Sequence, residues 1–242
     1  KRTMWIVLTL LAVIAAGILI FIHLPRFGRV PRGERKARIE KLANYREGKF
    51  VNQHTTPQLT SDKGMFGMMV NFLFNRPKNT EPQDSLPAVK TDLHALDRHE
   101  DVLVWFGHSS VFCQTGGVRF LIDPVFSTAA SPVPFFNKAF AGTDIYRPAD
   151  MPDLDYLVIS HDHWDHLDYQ TVKALKERTG TVICPVGVGG HFGRWGFDRS
   201  RVIGMEWDQE AELVDGFRIW CLPARHFSGR GLNPNQSLWA SF

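Results

Sequence analysis

Six consecutive residues, His161-Asp162-His163-Trp164-Asp165-His166, constrain this chain more than any other stretch. They follow Leu154–Ser160, an apolar run that reads as a short buried strand, so the cluster begins where a strand gives way to a loop. Side chains leaving a fixed strand end can converge on one point. Imidazole nitrogen and carboxylate oxygen suit zinc and related divalent ions, and an open coordination position holds a water that loses a proton near neutral pH. His161 and His163, one residue apart, can share one ion, whereas Asp165 and His166 project differently and can serve a second one nearby. The chain has ten histidines, and three of them within six residues argue against a chance polar loop.

Around this cluster the pattern is strand-rich. Val102–Phe106, Val118–Ile122, Tyr156–Ser160, Thr181–Cys184 and Phe217–Leu222 read as strands, and Tyr169–Arg178 as a helix with Gly180 closing its C-terminus. An α/β class follows. His108 comes directly after a strand and either borders the pocket or caps a turn; it is not read as a ligand. His226 lies in the loop after the strand that runs into Pro223. His191, in the glycine-rich Gly189–Gly193 stretch, matches no motif and reads as an ordinary polar residue.

His-x-His-x-Asp-His after an apolar strand resembles the signature of the metallo-β-lactamase fold hydrolases. Trp105–Ser110, Leu121–Phe126, Ser131-Pro132, Pro223–Gly231 and Ser237–Ser241 look like the branch containing N-acylphosphatidylethanolamine-hydrolysing phospholipase D and its bacterial relatives. The resemblance covers residues 43–242. It implies an αββα sandwich and two zinc ions, one held by His161, His163 and His226, the other by Asp165 and His166, which are also the expected catalytic pair. Asp123 matches an aspartate that holds a ligand's ring by a hydrogen bond; the competing reading is a turn residue before Pro124. His108 is placed with Asp123 among the residues flanking the ligands. In this fold a bridging aspartate and a further histidine come after the third histidine, and neither residue type follows His226. The expectation is therefore a C-terminally incomplete domain with an incomplete second site.

Met4 through Leu24 carry no Asp, Glu, Lys or Arg. A helix of that length spans about 30 Å, the thickness of the hydrocarbon core of a bilayer. The run is longer than a signal-peptide core and continues as Gly17–Ile22, so an uncleaved single-pass anchor is expected rather than a cleaved leader. The larger basic cluster, Arg26 to Arg38, follows the span and argues for a cytoplasmic catalytic domain. Residues 1–38 hold eight basic side chains and one acidic, so the remaining chain carries −4 of the +3 total. The basicity belongs to the tail, where it favours anionic lipid and not nucleic acid, for which a basic patch on the folded domain is expected.

Three organisational units follow: an anchor over 1–25, a basic and apolar lead-in over 26–90, and the catalytic-type domain over 91–242. Within the lead-in, the methionine-rich run Met65–Phe74 either lies on a bilayer, lines an acyl groove or forms a buried core helix; residues 75–89 read as a loop. Cys113, Cys184 and Cys221 form no disulfide or metal pattern and read as small core residues. The expected activity is a zinc-dependent phosphodiesterase acting through a metal-activated water on a membrane lipid such as N-acylphosphatidylethanolamine. A sugar-phosphate lactonase of the same fold and a non-catalytic membrane-anchored metal-binding protein are the alternatives.

Overall fold

A computed structural model describes residues 1–57, 64–75 and 78–242, with the side chains of Met65 and Asp215 excepted. Parts of the expected lead-in, 58–63 and 76–77, lie outside the described residues. The uncharged run forms one uninterrupted helix, α1 (Arg2–Ile22), none of whose residues is buried against the rest of the chain. It is long and apolar enough to cross a bilayer. Pro25 opens a single 3₁₀ turn, Pro25–Phe27, after which the chain runs to α2 (Glu34–Ile39) and a small hairpin of β1 (Tyr45–Arg46) and β2 (Lys49–Phe50). Ile39, Tyr45 and Phe50 pack with Leu238 and Trp239, so this lead-in is tied to the far end of the chain. Helix α3 (Gly64–Phe74) turns Phe66, Met69, Leu73 and Phe74 outward, which removes the buried-core reading of that segment.

The main sheet has six strands in chain order: β3 (Val102–Gly107), β4 (Ser110–Thr115), β5 (Val118–Ile122), β6 (Leu154–Val158), β7 (Thr179–Pro185) and β8 (Val202–Met205). Strands β3 to β5 are antiparallel, and Gly116 and Gly117 both take the positive φ that a two-residue hairpin requires. From β5 to β8 the pairing is parallel, with α4 (Tyr169–Leu175) and α5 (Gly189–Arg194) in the crossovers. The hairpin of β9 (Gln209–Glu212) and β10 (Arg218–Cys221) forms a second small sheet.

Alternation along β6 assigns the layers. Leu157 faces Val172, Leu175 and Phe192 beneath the helices, while Tyr156 and Val158 face Ile183 and Cys221 beneath the β9–β10 hairpin. Helix layer, main sheet and second sheet thus stack as the α/β sandwich expectation requires. Burial of these side chains is worth about 1.5–3 kcal/mol each, and it holds the sheet edge rigid where the site sits.

Strand ends differ from expectation by one or two residues, and two of the differences have a clear cause. Strand β6 ends at Val158, not Ser160, because the Ser160 amide turns away from the sheet to Asp123 Oδ1 at 2.7 Å. The helix over 169–178 is α4 followed by a 3₁₀ turn, and Gly180 is not its cap but a residue of β7. A Cβ at Gly180 would lie 2.6 Å from the Asp155 carbonyl, so glycine serves close strand packing there. The helix start is capped by Asp168, whose side chain accepts from the Gln170 amide.

Candidate metal centre

The parallel strands β5 and β6 end side by side, and the Asp123 amide donates to the Val158 carbonyl at 3.0 Å, so the loops after both strands emerge together. The 161–166 loop is then folded back by the Leu167 amide donating to the His163 carbonyl at 2.8 Å, with Leu167 fully buried in the core as its far anchor. One loop is thereby held at both ends, with His161, His163 and His166 grouped together and Asp162 and Trp164 packed against His191 and Arg230.

Three ring nitrogens meet on one side. His161 Nε2 lies 2.9 Å from His163 Nδ1 and 3.0 Å from His226 Nε2, and the His163–His226 separation is 3.2 Å. A tetrahedral ion at roughly 2.0–2.1 Å from each nitrogen would space them about 3.3 Å apart. The triangle is close to that geometry. Burial and the crowding of neighbouring imidazoles push the His161 pKa down to about 2, and burial also lowers those of His163 and His226. All three rings are neutral at pH 7 and keep a lone pair for an ion.

Ring orientation is set from behind. Ser160 Oγ donates to Asp123 Oδ2 at 2.5 Å and accepts from His161 Nδ1 at 2.9 Å, the tautomer that leaves His161 Nε2 free. Asp123 Oδ2 also takes His166 Nδ1 at 2.8 Å, leaving His166 Nε2 free. Asp123 is therefore not merely a turn residue: buried at 3% exposure and with φ at +41°, it serves both rings.

His166 Nε2 points toward Asp165 Oδ2 at 3.9 Å, and Asp165 Oδ2 is 3.1 Å from His108 Nε2. His108, Asp165 and His166 thus form a second group with ligand atoms within 4.8 Å of one another, more open than the first. His108 was expected to flank the site without being a ligand. Its φ of +47° in the β3–β4 turn swings the ring onto Asp165 and gives it ligand geometry as well.

Other residues organise the loop in ways to which their sequence context assigned no role. Asp162 does not face the ring nitrogens. Buried, its Oδ1 accepts from the Gly229 amide at 2.9 Å, while Oδ2 accepts from Ser237 Oγ at 2.7 Å and pairs with His191 Nε2 at 3.1 Å. His191, Ser237 and Arg230 together hold its carboxyl well below the usual carboxylate range despite burial. His191 is therefore a buried partner, not an ordinary polar residue. Arg230 lies 4.0 Å over the Trp164 ring and donates through Nη1 to the Leu167 carbonyl at 2.5 Å. Burial lowers its pKa to about 10, which leaves it charged. Cys184 and Cys221, pushed up to about 12 by burial, are inert core thiols.

Beside the second group opens a cavity of about 360 Å³ whose wall includes His108 and Asp165 and is otherwise largely apolar, with Phe106, Val125, Phe126 and Phe140, and with Lys138 among its polar residues.

Residues 118–242 match a family described as a beta-lactamase superfamily domain. An uncharacterized protein of Mycobacterium tuberculosis is 37% identical over 204 residues, covering 84% of this chain and 55% of that protein. N-acyl-phosphatidylethanolamine-hydrolyzing phospholipase D 1 of Caenorhabditis elegans is 34% identical over 189 residues, covering 69% of this chain and 50% of that protein. A solved diiron beta-hydroxylase from Streptomyces venezuelae aligns with a TM-score of 0.41 and 28% identity over 51% of this chain and 24% of its own. The chain spans about half the length of the curated relatives named here. With the histidine cluster lying inside the matched residues, the chain belongs to the beta-lactamase superfamily.

Proposed function

We propose that this protein is a membrane-anchored, metal-dependent hydrolase of lipid phosphodiesters resembling N-acylphosphatidylethanolamine. The observation that carries the reading is the juxtaposition of a three-imidazole cluster with an apolar cavity that begins at Asp165 and His108. A divalent ion bound there supplies Lewis acidity and lowers the pKa of a water it holds. Imidazole donors suit zinc, the ion proposed, with His161, His163 and His226 holding the first and Asp165 and His166 serving a second.

The chain's own residues do the rest. Asp123 and Ser160 keep the rings aimed with their free nitrogens forward. Asp165 and His166 are also read as the catalytic pair, the Asp165 oxygen not spent on an ion taking the proton that an attacking water sheds. The apolar wall excludes water and accepts a hydrocarbon chain, while Lys138 offers a charge for a phosphate oxygen. A sugar-phosphate lactone has no hydrocarbon chain to set against the apolar part of this wall, so the cavity favours the lipid over that alternative. Helix α1 is read as the anchor, with the Arg26–Arg38 cluster and the domain on the cytoplasmic side.

Turnover of N-acylphosphatidylethanolamine, bis-p-nitrophenyl phosphate and a sugar-phosphate lactone by wild type and His163→Ala tests the reading. Lipid hydrolysis exceeding that of both small substrates, and abolished by the substitution, is expected. Lactone turnover alone would replace the substrate assignment. No metal-dependent turnover of any of the three would leave the non-catalytic alternative standing.

A further inference from the structure

A second cavity, of about 470 Å³, lies between the end of α1 and the back of the metal loop and shares no lining residue with the apolar cavity. Ile22 and His23 at the end of α1 line it, so with α1 read as the anchor the cavity opens at the level where that helix leaves the hydrocarbon. Asp162 of the metal loop lines it together with Gly229, whose amide donates to Asp162 Oδ1, and Arg230.

The segment after α1 is fastened here by its backbone. The His23 carbonyl accepts from Arg194 Nη2 at 2.9 Å, the Pro25 carbonyl from Trp195 Nε1 at 2.8 Å and the Arg26 carbonyl from Arg230 Nε at 2.8 Å, while the Arg29 amide donates to His191 Nδ1 at 3.0 Å. Phe27 packs edge-on against Trp164 with ring centroids 5.2 Å apart. Fixing the backbone in this way leaves the guanidinium groups of Arg29 and Arg32 free of ion pairs among the described residues, and Arg194 likewise has only the carbonyl contact.

Charge around the cavity is lopsided. Arg29, Arg32, Arg194 and Arg230 line it against one carboxylate among the described residues, Asp162, whose oxygens are already taken by Gly229, Ser237 and His191. Arg230 is 4% exposed, and its Nη2 has no hydrogen-bond partner among the described residues. Three exposed guanidinium groups around a concave site, with the charge of buried Arg230 behind them and a spent carboxylate beside them, call for an anion with several oxygens, and the planar fork of arginine matches phosphate. The volume lies within the range of small-molecule sites.

We infer that this cavity binds the phosphate of an anionic lipid headgroup, seating one such lipid against the base of the anchor and the back of the metal loop. The inference rests on the reading of α1 as a membrane anchor and not on the proposed hydrolysis. The position of the mouth at the end of α1 favours a lipid over a soluble phosphate. A built site differs from diffuse attraction to a basic tail in being stoichiometric and specific to the arginines that line it.

The test uses the protein in phosphatidylcholine nanodiscs with and without phosphatidylglycerol, with lipid retention after extraction read by native mass spectrometry. One phosphatidylglycerol per chain is expected to be retained by wild type. Arg29→Gln/Arg32→Gln/Arg194→Gln should weaken retention about tenfold or more, a change of about 1.4 kcal/mol. Arg35→Gln/Arg38→Gln/Arg199→Gln removes the same charge from a neighbouring cavity and should leave retention near wild type. Equal losses in both triple variants, or none in the first, would overturn the site. Displacement by inorganic phosphate added at the concentration of the lipid would also overturn the assignment to a lipid. Flotation with plain phosphatidylcholine vesicles separates the two ideas: failure to float contradicts the anchor reading itself, whereas flotation without selective retention contradicts the lipid site alone.

Discussion

Asn52 holds both backbone polar groups of His226, donating through Nδ2 to its carbonyl at 2.9 Å and accepting its amide on Oδ1 at 3.1 Å. Trp239 Nε1 reaches the same Oδ1 at 3.0 Å. The third imidazole of the cluster is thus positioned by a residue from the lead-in, 174 positions earlier.

Loss of this clamp should loosen the cluster without touching a ring nitrogen. Asn52→Ala is expected to weaken divalent-ion affinity about 10–100-fold and to lower folding stability by about 1–3 kcal/mol. Asn52→Asp, which keeps the acceptor and loses the donor, should fall between. Chelator-competition titration and urea unfolding would check both, and wild-type affinity in Asn52→Ala would remove the residue from the account.

Asp123 Oδ2 supports both rings, His166 directly and His161 by way of Ser160 Oγ. Asp123→Asn cannot accept from Ser160 and His166 as a carboxylate does, so affinity for an ion at His166 and Asp165 should drop about 10–100-fold. Ser160→Ala spares the Asp123–His166 contact and should act mainly on the ion at His161. Two-site cobalt titration followed by absorbance can separate these effects; the same loss at both sites from Ser160→Ala would contradict the division.

The strap after α1 passes so close to α5 that a Cβ at Gly190 would lie 2.6 Å from the Arg29 carbonyl. Gly190→Ala should therefore cost about 1–3 kcal/mol by overpacking and release the strap. Tryptic cleavage after Arg29 and Arg32 is the readout, expected to be several-fold faster than in wild type. Unchanged cleavage would mean that the strap is not held by this contact.

Ala130 lines the apolar cavity. Filling it with Ala130→Trp should reduce turnover of a long-chain lipid substrate at least tenfold while leaving bis-p-nitrophenyl phosphate within about threefold, because only the former needs the space, and about 1.4 kcal/mol per tenfold is within what lost apolar burial supplies. Equal losses on both substrates would assign the cavity another role.

What the sequence made legible is local. The spacing within 161–166, the apolar run before it and the strand before His226 are patterns readable in a few residues, and the α/β class follows from the same periodicities. Asn52, Asp162 and His191 act through partners 174, 67 and 29 or more positions away, often on backbone atoms that carry no residue signature. His108 borders the cavity as expected, whereas its contact with Asp165 goes with a positive φ in a non-glycine turn that residue type alone does not announce. The outward face of α3 could not be separated from a core helix by apolar content alone, because both are apolar and only packing distinguishes them.

The most direct test of the central claim is metal content. Inductively coupled plasma mass spectrometry on the protein, purified without added metal or chelator, should find at least one divalent ion per chain, zinc on the present reading. His161→Ala, His163→Ala and His226→Ala should each lose the tightly held ion. Metal-free wild type, or the same metal content in wild type and all three variants, would contradict the assignment of these nitrogens to a metal centre.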